Sequence, residues 1–375
     1  MTEQKNDIFG IKEEPKHGKK PNQKLKPYLV MQILMRQTDE NNVMTADGIC
    51  AELHAMGVYA ERRSIYRDID EINKVLLMID KGCTVEEAED MLFETDTSKT
   101  IVYDKSRKGF YVRQRNYDLN DIRVLVECIN AAKFISVGQA KRLTKVICKF
   151  VSDHQAKQIA NDTYLVGRAK TTNNSVFDNI AAINRAMSRK VDGRSHEPEK
   201  ISFKYLKYDI DHLSTQSYRR RGQKYVVSPY KLIINDGNYY LLGFDERCQE
   251  MRTYRLDRMQ NVSLLNEQRD GADEFASMDL ENFTQRVFGM FTGEQHRVTL
   301  RFDMELLDAA VDRFGTKGVV YQKVDDAHFE VTVTVDVSAQ FFAWLCGFGA
   351  SVKIVAPEFV VEKYKKHLDK VREMY

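Results

Sequence analysis

The chain has 375 residues, 43% hydrophobic and 30% charged, with 57 Lys and Arg against 55 Asp and Glu for a formal net charge of +2. At roughly 100–200 residues per domain this length calls for two or three domains, each able to bury a core. With 19 Phe and 18 Tyr and a mean hydropathy of −0.48, it is too aromatic for a disordered polymer and too polar for a membrane-embedded one.

No run approaches the roughly 18 apolar residues of a spanning helix, and residues 1–20 lack the apolar stretch of a secretory signal. The expected location is therefore the cytoplasm, with no membrane partner. Cys50, Cys83, Cys128, Cys148, Cys248 and Cys346 are scattered without a C-x-x-C pair, which points to reduced core thiols rather than a disulfide frame or a zinc site.

Residues 1–24, rich in Lys and without apolar periodicity, are expected to form a flexible basic tail. Pro27 then opens a helix carrying Leu29, Ile33 and Leu34 at helical spacing. A second helix follows Thr45 as its cap, with Ile49, Leu53 and Met56 on one face and Gly57 as its stop. A third runs from about Glu61 to Leu77 on a stripe of Ile65, Ile69, Ile72 and Leu76. Residues 80–98 predict an inserted acidic helix. Next come two extended runs, Thr100–Tyr103 and Phe110–Arg113, joined by a polar turn with a basic tip. Residues 118–152 predict two further helices of a connector.

After a helix over Val176–Arg189 the period changes from 3.6 to 2. Short strands around Ile201–Tyr205, Lys224–Ser228, Lys231–Asn235 and Asn238–Phe244, the last two hinged on Asp236-Gly237, predict a small β-barrel. From His296 the order strand, helix, strand, strand, helix, strand, helix is that of a ferredoxin-like βαββαβ layer with one extra helix. The expected class is multidomain α+β. Its parts are a winged helix-turn-helix (25–116), a helical connector (117–192), an SH3/Sm-like small β-barrel (193–270) and a ferredoxin-like domain (290–375).

The third helix carries the clearest chemistry. Burying its isoleucines turns Arg63, Tyr66, Arg67 and Asp70 outward, with Arg62 and Ser64 beside them. Guanidinium groups reading guanine edges, supported by a hydroxyl and an aromatic, are what a major-groove helix needs. Lys105, Arg107 and Lys108 at the hairpin tip would reach phosphate or the minor groove. A solvated amphipathic helix would present the same charged face, and the order of elements is what favours a reader.

That order also carries a resemblance. Thr45-Ala-Asp-Gly-Ile-Cys-Ala-Glu-Leu followed by Ser64-Ile-Tyr-Arg-Asp-Ile resembles the winged-helix domain of DeoR-type bacterial regulators. Val227-Ser-Pro-Tyr-Lys-Leu, Asn238-Tyr-Tyr-Leu-Leu-Gly-Phe244 and Met251-Arg-Thr-Tyr-Arg-Leu-Asp-Arg258 resemble the WYL domain, with Tyr239-Tyr240-Leu241 standing for its Trp-Tyr-Leu triplet. The closing segment, with Phe342-Ala-Trp-Leu and Val352-Lys-Ile-Val-Ala-Pro357, is similar to the WCX extension. The resemblance implies a WYL-type transcriptional regulator binding a double-stranded DNA operator, its WYL module sensing a nucleic-acid or nucleotide-like effector.

The barrel residues support an anionic effector on their own terms. Tyr205, Arg219, Arg221, Tyr230, Tyr239, Tyr240, Arg252, Arg255 and Arg258 gather arginines among tyrosines, and such groups pair with phosphates and stack on bases. The alternative is that Arg255 and Arg258 pair with Asp257, Asp245 or Glu246 and that the tyrosines are barrel wall. Two half-sites would require a homodimer. No metal-ligand spacing, P-loop, G-x-G-x-x-G or nucleophile motif appears, so no cofactor and no enzyme chemistry is expected. An accessory protein sensing single-stranded nucleic acid without a transcriptional role is the competing reading.

Overall fold

The computed structural model describes residues 22–375 apart from 114, 116, 163–169, 189, 192–193, 213–215, 279, 281–282 and 291–292. Most of the expected basic tail, residues 1–21, lies outside the described residues, as does Arg189. Two compact units emerge, one of residues 1–131 and 138–168, the other of 132–137 and 169–375.

The first unit opens with α1 (Lys26–Gln37), whose first turn holds Pro27, and α2 (Ala46–Ala55), where the Thr45 hydroxyl accepts from the Gly48 N–H at 3.1 Å. α3 (Arg62–Lys81) ends at Gly82 with φ of 66°. The acidic insertion is α4 (Val85–Glu94), begun by a reciprocal capping box between Thr84 and Glu87. The hairpin is β1 (Ile101–Asp104) and β2 (Gly109–Val112). Its foot is fixed twice: the buried Asn73 amide of α3 donates to Ile101 O and accepts from Ile101 N, and Phe110 bridges Met44. A side chain at Gly109 would meet Val43 at 2.9 Å, so the strand can approach this closely only as glycine.

Val30, Ile33, Leu34, Ile49, Leu53, Ile65, Ile69, Ile72, Ile101 and Phe110 share one core. Two details differ from the periodic reading. Met56 is exposed because α2 ends a residue before it, and Leu77 rather than Leu76 is the more buried end of the α3 stripe. Helices α5 (Leu119–Ala131), α6 (Val137–Ile147) and α7 (Asp153–Asp162) follow, with Ile122, Val126, Val151 and Ile159 in a separate small core. The helices between 117 and 192 therefore divide, three with the first unit and the next with the second.

The second unit begins with α8 (Val176–Met187) and the short pair β3 (Lys190–Val191) and β4 (Arg194–Ser195). Next are β5 (Glu199–Tyr208), β6 (Gln216–Tyr218), β7 (Tyr225–Asn235), β8 (Asn238–Asp245), β9 (Glu250–Arg255) and β10 (Met259–Gln268). They form an antiparallel sheet in the order β10-β5-β7-β8-β9, with β6 on β5. At the β7–β8 turn Asp236 and Gly237 both take positive φ, as the Asp-Gly pair predicts. Among the described residues no ladder joins β9 to β10, yet the sheet curls on itself, with Tyr254 of β9 5.9 Å from Tyr205 of β5. Residues Leu256–Arg258 wind into a 3-10 turn between β9 and β10. α8 packs on the inner face, where Val176, Ile183, Ile201, Phe203, Val227, Leu241, Leu256 and Met259 form the core.

Short helices α9 (Ala272–Ala276) and α10 (Phe283–Arg286) lead to β11 (Glu294–Asp303), α11 (Leu307–Phe314), β12 (Tyr321–Lys323), β13 (His328–Val337), α12 (Ala339–Cys346), β14 (Val352–Ala356) and α13 (Glu358–Arg372). The second sheet runs β12-β13-β11-β14, antiparallel throughout, and alternation sends Val298, Leu300, Phe302, Phe329, Val331 and Val333 into the core it shares with Phe341, Phe342 and Leu345 of α12. No helix of the described residues is long and apolar enough to cross a membrane.

Candidate ligand pocket and nucleic-acid interface

A cavity of about 970 Å³ opens at the β9 end of the first sheet of the second unit. Its walls hold Tyr205, Tyr225, Tyr240 and Tyr254 beside six cationic side chains, Lys207, Arg219, Arg220, Arg252, Arg255 and Arg258, and a single carboxylate, Glu250. Two of the cations are neutralised: Arg252 lies 3.3 Å from Glu250, and Arg255 grips both oxygens of Asp257 at 3.0 and 2.8 Å. Among the described residues Lys207, Arg219, Arg220 and Arg258 have no carboxylate partner. The alternative pairing considered from sequence thus holds for Arg255 alone.

The tyrosines build a rigid neutral floor. Phe203, Tyr205, Tyr225 and Tyr254 converge from β5, β7 and β9, with ring centroids between 5.4 and 6.2 Å apart. Burial pushes the phenols of Tyr205, Tyr240 and Tyr254 upward, and for Tyr254 the hydrogen bond it donates to Asp245 adds to this. All three remain uncharged donors at neutral pH and subtract nothing from the positive field. Arg220 lies 3.9 Å over the Tyr225 ring and Arg219 5.7 Å over Tyr205.

Backbone devices aim these groups. Arg220 and Arg221 take φ of 50° and 52°, so the triple-arginine run turns instead of alternating. The turn bearing Asp257 and Arg258 is clamped by two buried amides: Asn173 Nδ2 donates to the carbonyls of Asp257 and Met259, and Asn179 Nδ2 to those of Leu256 and Met259. The Arg255 N–H donates to the Tyr205 hydroxyl at 3.1 Å, tying β9 to β5.

Of the residues expected from sequence, Tyr205, Arg219, Tyr240, Arg252, Arg255 and Arg258 meet in this cavity. Three are placed elsewhere. Arg221 is the exposed far side of the tight turn. Tyr230, at the register shift between Pro229 and Lys231, stacks on Phe275 at 4.4 Å under Arg269. Tyr239 packs on Phe134 in the core. Lys207, Arg220, Tyr225, Glu250, Thr253 and Tyr254 line the cavity outside the set expected from sequence, as do Gly289 and Met290, which arrive from beyond α10.

The candidate nucleic-acid face lies in the first unit. Arg62, Arg63 and Arg67 are exposed on the first two turns of α3. Arg62 reaches Asp47 at 3.6 Å, while Arg63 and Arg67 have no ion pair among the described residues. Tyr66 departs from the expected exposed placement. It is half-buried against the hairpin, 5.1 Å from Phe110 and 6.0 Å from Tyr103, and so props the hairpin on the helix. The Ser64 hydroxyl donates to Glu61 O at 2.7 Å, closing its own helix start. At the tip, Lys105 and Lys108 are exposed, whereas Arg107 is held by Asp104 at 2.6 Å and donates to Glu40 O at 2.9 Å. Asp104, bonded by Ser106 and Arg107, sits far below the usual carboxylate range. Among the described residues no group of three His, Cys, Asp or Glu could hold a metal ion.

No curated protein matches the chain. Among solved structures it is similar to proteasome accessory factor B/C (PafBC) of Arthrobacter aurescens, with 14% identity, 93% of this chain and 48% of that one covered, and a TM-score of 0.26. It is also similar to a CRISPR Cas-related protein, with 12% identity, 89% and 92% coverage, and a TM-score of 0.32. The chain thus spans about half the length of the PafBC chain. Family models match at two places, the WYL domain at residues 197–264 and the WCX domain at residues 294–371. The Tyr- and Arg-lined sheet and the sheet that follows it are accordingly a WYL domain and a WCX domain.

Proposed function

We propose that this chain is a non-enzymatic, DNA-binding transcriptional regulator whose WYL cavity takes an anionic effector of nucleic-acid or nucleotide type. The observation that carries the reading is four unpaired cations over a floor of neutral tyrosines in one cavity. Phosphates suit the cations and planar bases suit the phenol rings. A purely apolar ligand would leave the four charges desolvated and unpaired, which is costly.

We read the three helices and hairpin of the first unit as a DeoR-type winged helix-turn-helix and the C-terminal sheet as a ferredoxin-like layer. Arg63 and Arg67 are the base readers, Arg62 a reader held at rest by Asp47, and Lys105 and Lys108 the phosphate contacts. Arg107 serves the shape of the hairpin tip. Two copies on two half-sites would give the operator its length. Effector binding then alters operator affinity to the extent that it prefers one dimer geometry. Footprinting on the DNA upstream of the chain's own gene tests the reading: a protected pair of half-sites is expected. Binding to single-stranded DNA with no protected duplex would favour the accessory-protein reading instead.

A further inference from the structure

The wall of the cavity contributed by Gly289 and Met290 lies between the two matched domains, on a segment that packs against both. Phe283, Val287 and Met290 are buried against Tyr240 and Leu242 of β8. Phe288, between them in sequence, points the other way into the WCX core, 5.2 Å from both Phe341 and Trp344. Each side is pinned. On the WYL side Thr253, itself a cavity residue, donates its hydroxyl to Met290 O at 3.0 Å. On the WCX side Arg313 lies 3.8 Å over the Phe288 ring and donates to Val287 O at 3.1 Å, while Arg286 pairs with the buried Asp336 at 2.7 Å. Between these pins Gly289 and Met290 take φ of 56° and 62°, a region an L side chain occupies only when its surroundings hold it there.

We infer that Val287–Met290 is a two-sided wedge through which occupancy of the WYL cavity is transmitted to the WCX domain. A ligand seated on Thr253 and Met290 meets a wall whose position depends on Phe288 remaining in the WCX core. Its affinity therefore differs between seated and released wedge, and by linkage it stabilises the seated state to the same degree. The inference rests on the cavity reading proposed above. It adds that two residues outside the cavity, Phe288 and Arg313, set affinity inside it.

The test uses the full chain and a fluorescein-labelled, 5′-phosphorylated deoxythymidine pentanucleotide. In Arg313→Met and in Phe288→Leu the probe should bind at least 5-fold more weakly than in the wild type, the lower end of ordinary coupling between sites. In the wild type, probe binding should slow amide exchange in residues 287–290 and in β13, not only in β9. If Phe288→Leu fails to fold, Arg313→Met and the wild-type exchange still decide. Unchanged affinity in the folded variants, with exchange slowed only around the cavity, would overturn the wedge and leave the cavity reading intact. No saturable binding to the wild type would overturn both.

Discussion

The molecule holds two arginine-rich regions, and they differ in shape more than in composition. On α3 the guanidinium groups stand on a convex, exposed helix start, with Asp47 and Tyr66 beside Arg62. In the WYL domain they line a concavity, and aromatic rings lie under Arg219 and Arg220. A protruding charged rod suits a partner with a groove, whereas a hollow with a planar floor suits a ligand small or flexible enough to enter. Charge alone does not distinguish them; what lies behind the charge does.

Four changes put that contrast at risk. The largest effect belongs to Arg220→Ala combined with Arg258→Ala. At about 1.5–3 kcal/mol for each hydrogen bond to a charged group, the pair should weaken the pentanucleotide about 100-fold or more, measured by anisotropy, with duplex binding by the first unit unaltered. Next, Arg63→Ala or Arg67→Ala should cost about 1–3 kcal/mol of operator binding and relax the base preference, read from a footprinting titration.

Asn179→Ala tests the scaffold of the hollow rather than its contents. Losing two buried hydrogen bonds, at about 0.5–1.5 kcal/mol each, should destabilise the second unit by about 1–3 kcal/mol, visible in denaturant unfolding, although Met259 O keeps Asn173 and Leu256 O keeps the Met259 N–H as donors. The smallest effect is Lys105→Ala, which should lower the slope of log affinity against log salt by about 1 and leave sequence preference unchanged.

The convex region was largely legible from the residues. Isoleucine spacing oriented α3, Thr45 marked α2, and Asp236-Gly237 marked a turn, because each depends on neighbours within a few positions. Tyr66 escaped, since its burial is made by Phe110, 44 positions away. The concave region was half legible for the same reason. Tyr254 shares a strand face with Arg252 by simple alternation, but Tyr225 reaches the floor by strand pairing and Met290 by a return of the chain after α10, neither of which leaves a local trace. Arg220 replaced Arg221 because two consecutive left-handed residues cancel the alternation from which a strand's faces are read.

Amide exchange on the full chain, followed with the phosphorylated pentanucleotide and separately with operator duplex, tests the contrast most directly. On this contrast, the pentanucleotide should slow exchange in residues 219–225 and 252–258, and the duplex in residues 62–67 and 105–108. Protection of one and the same segment by both nucleic acids would contradict it.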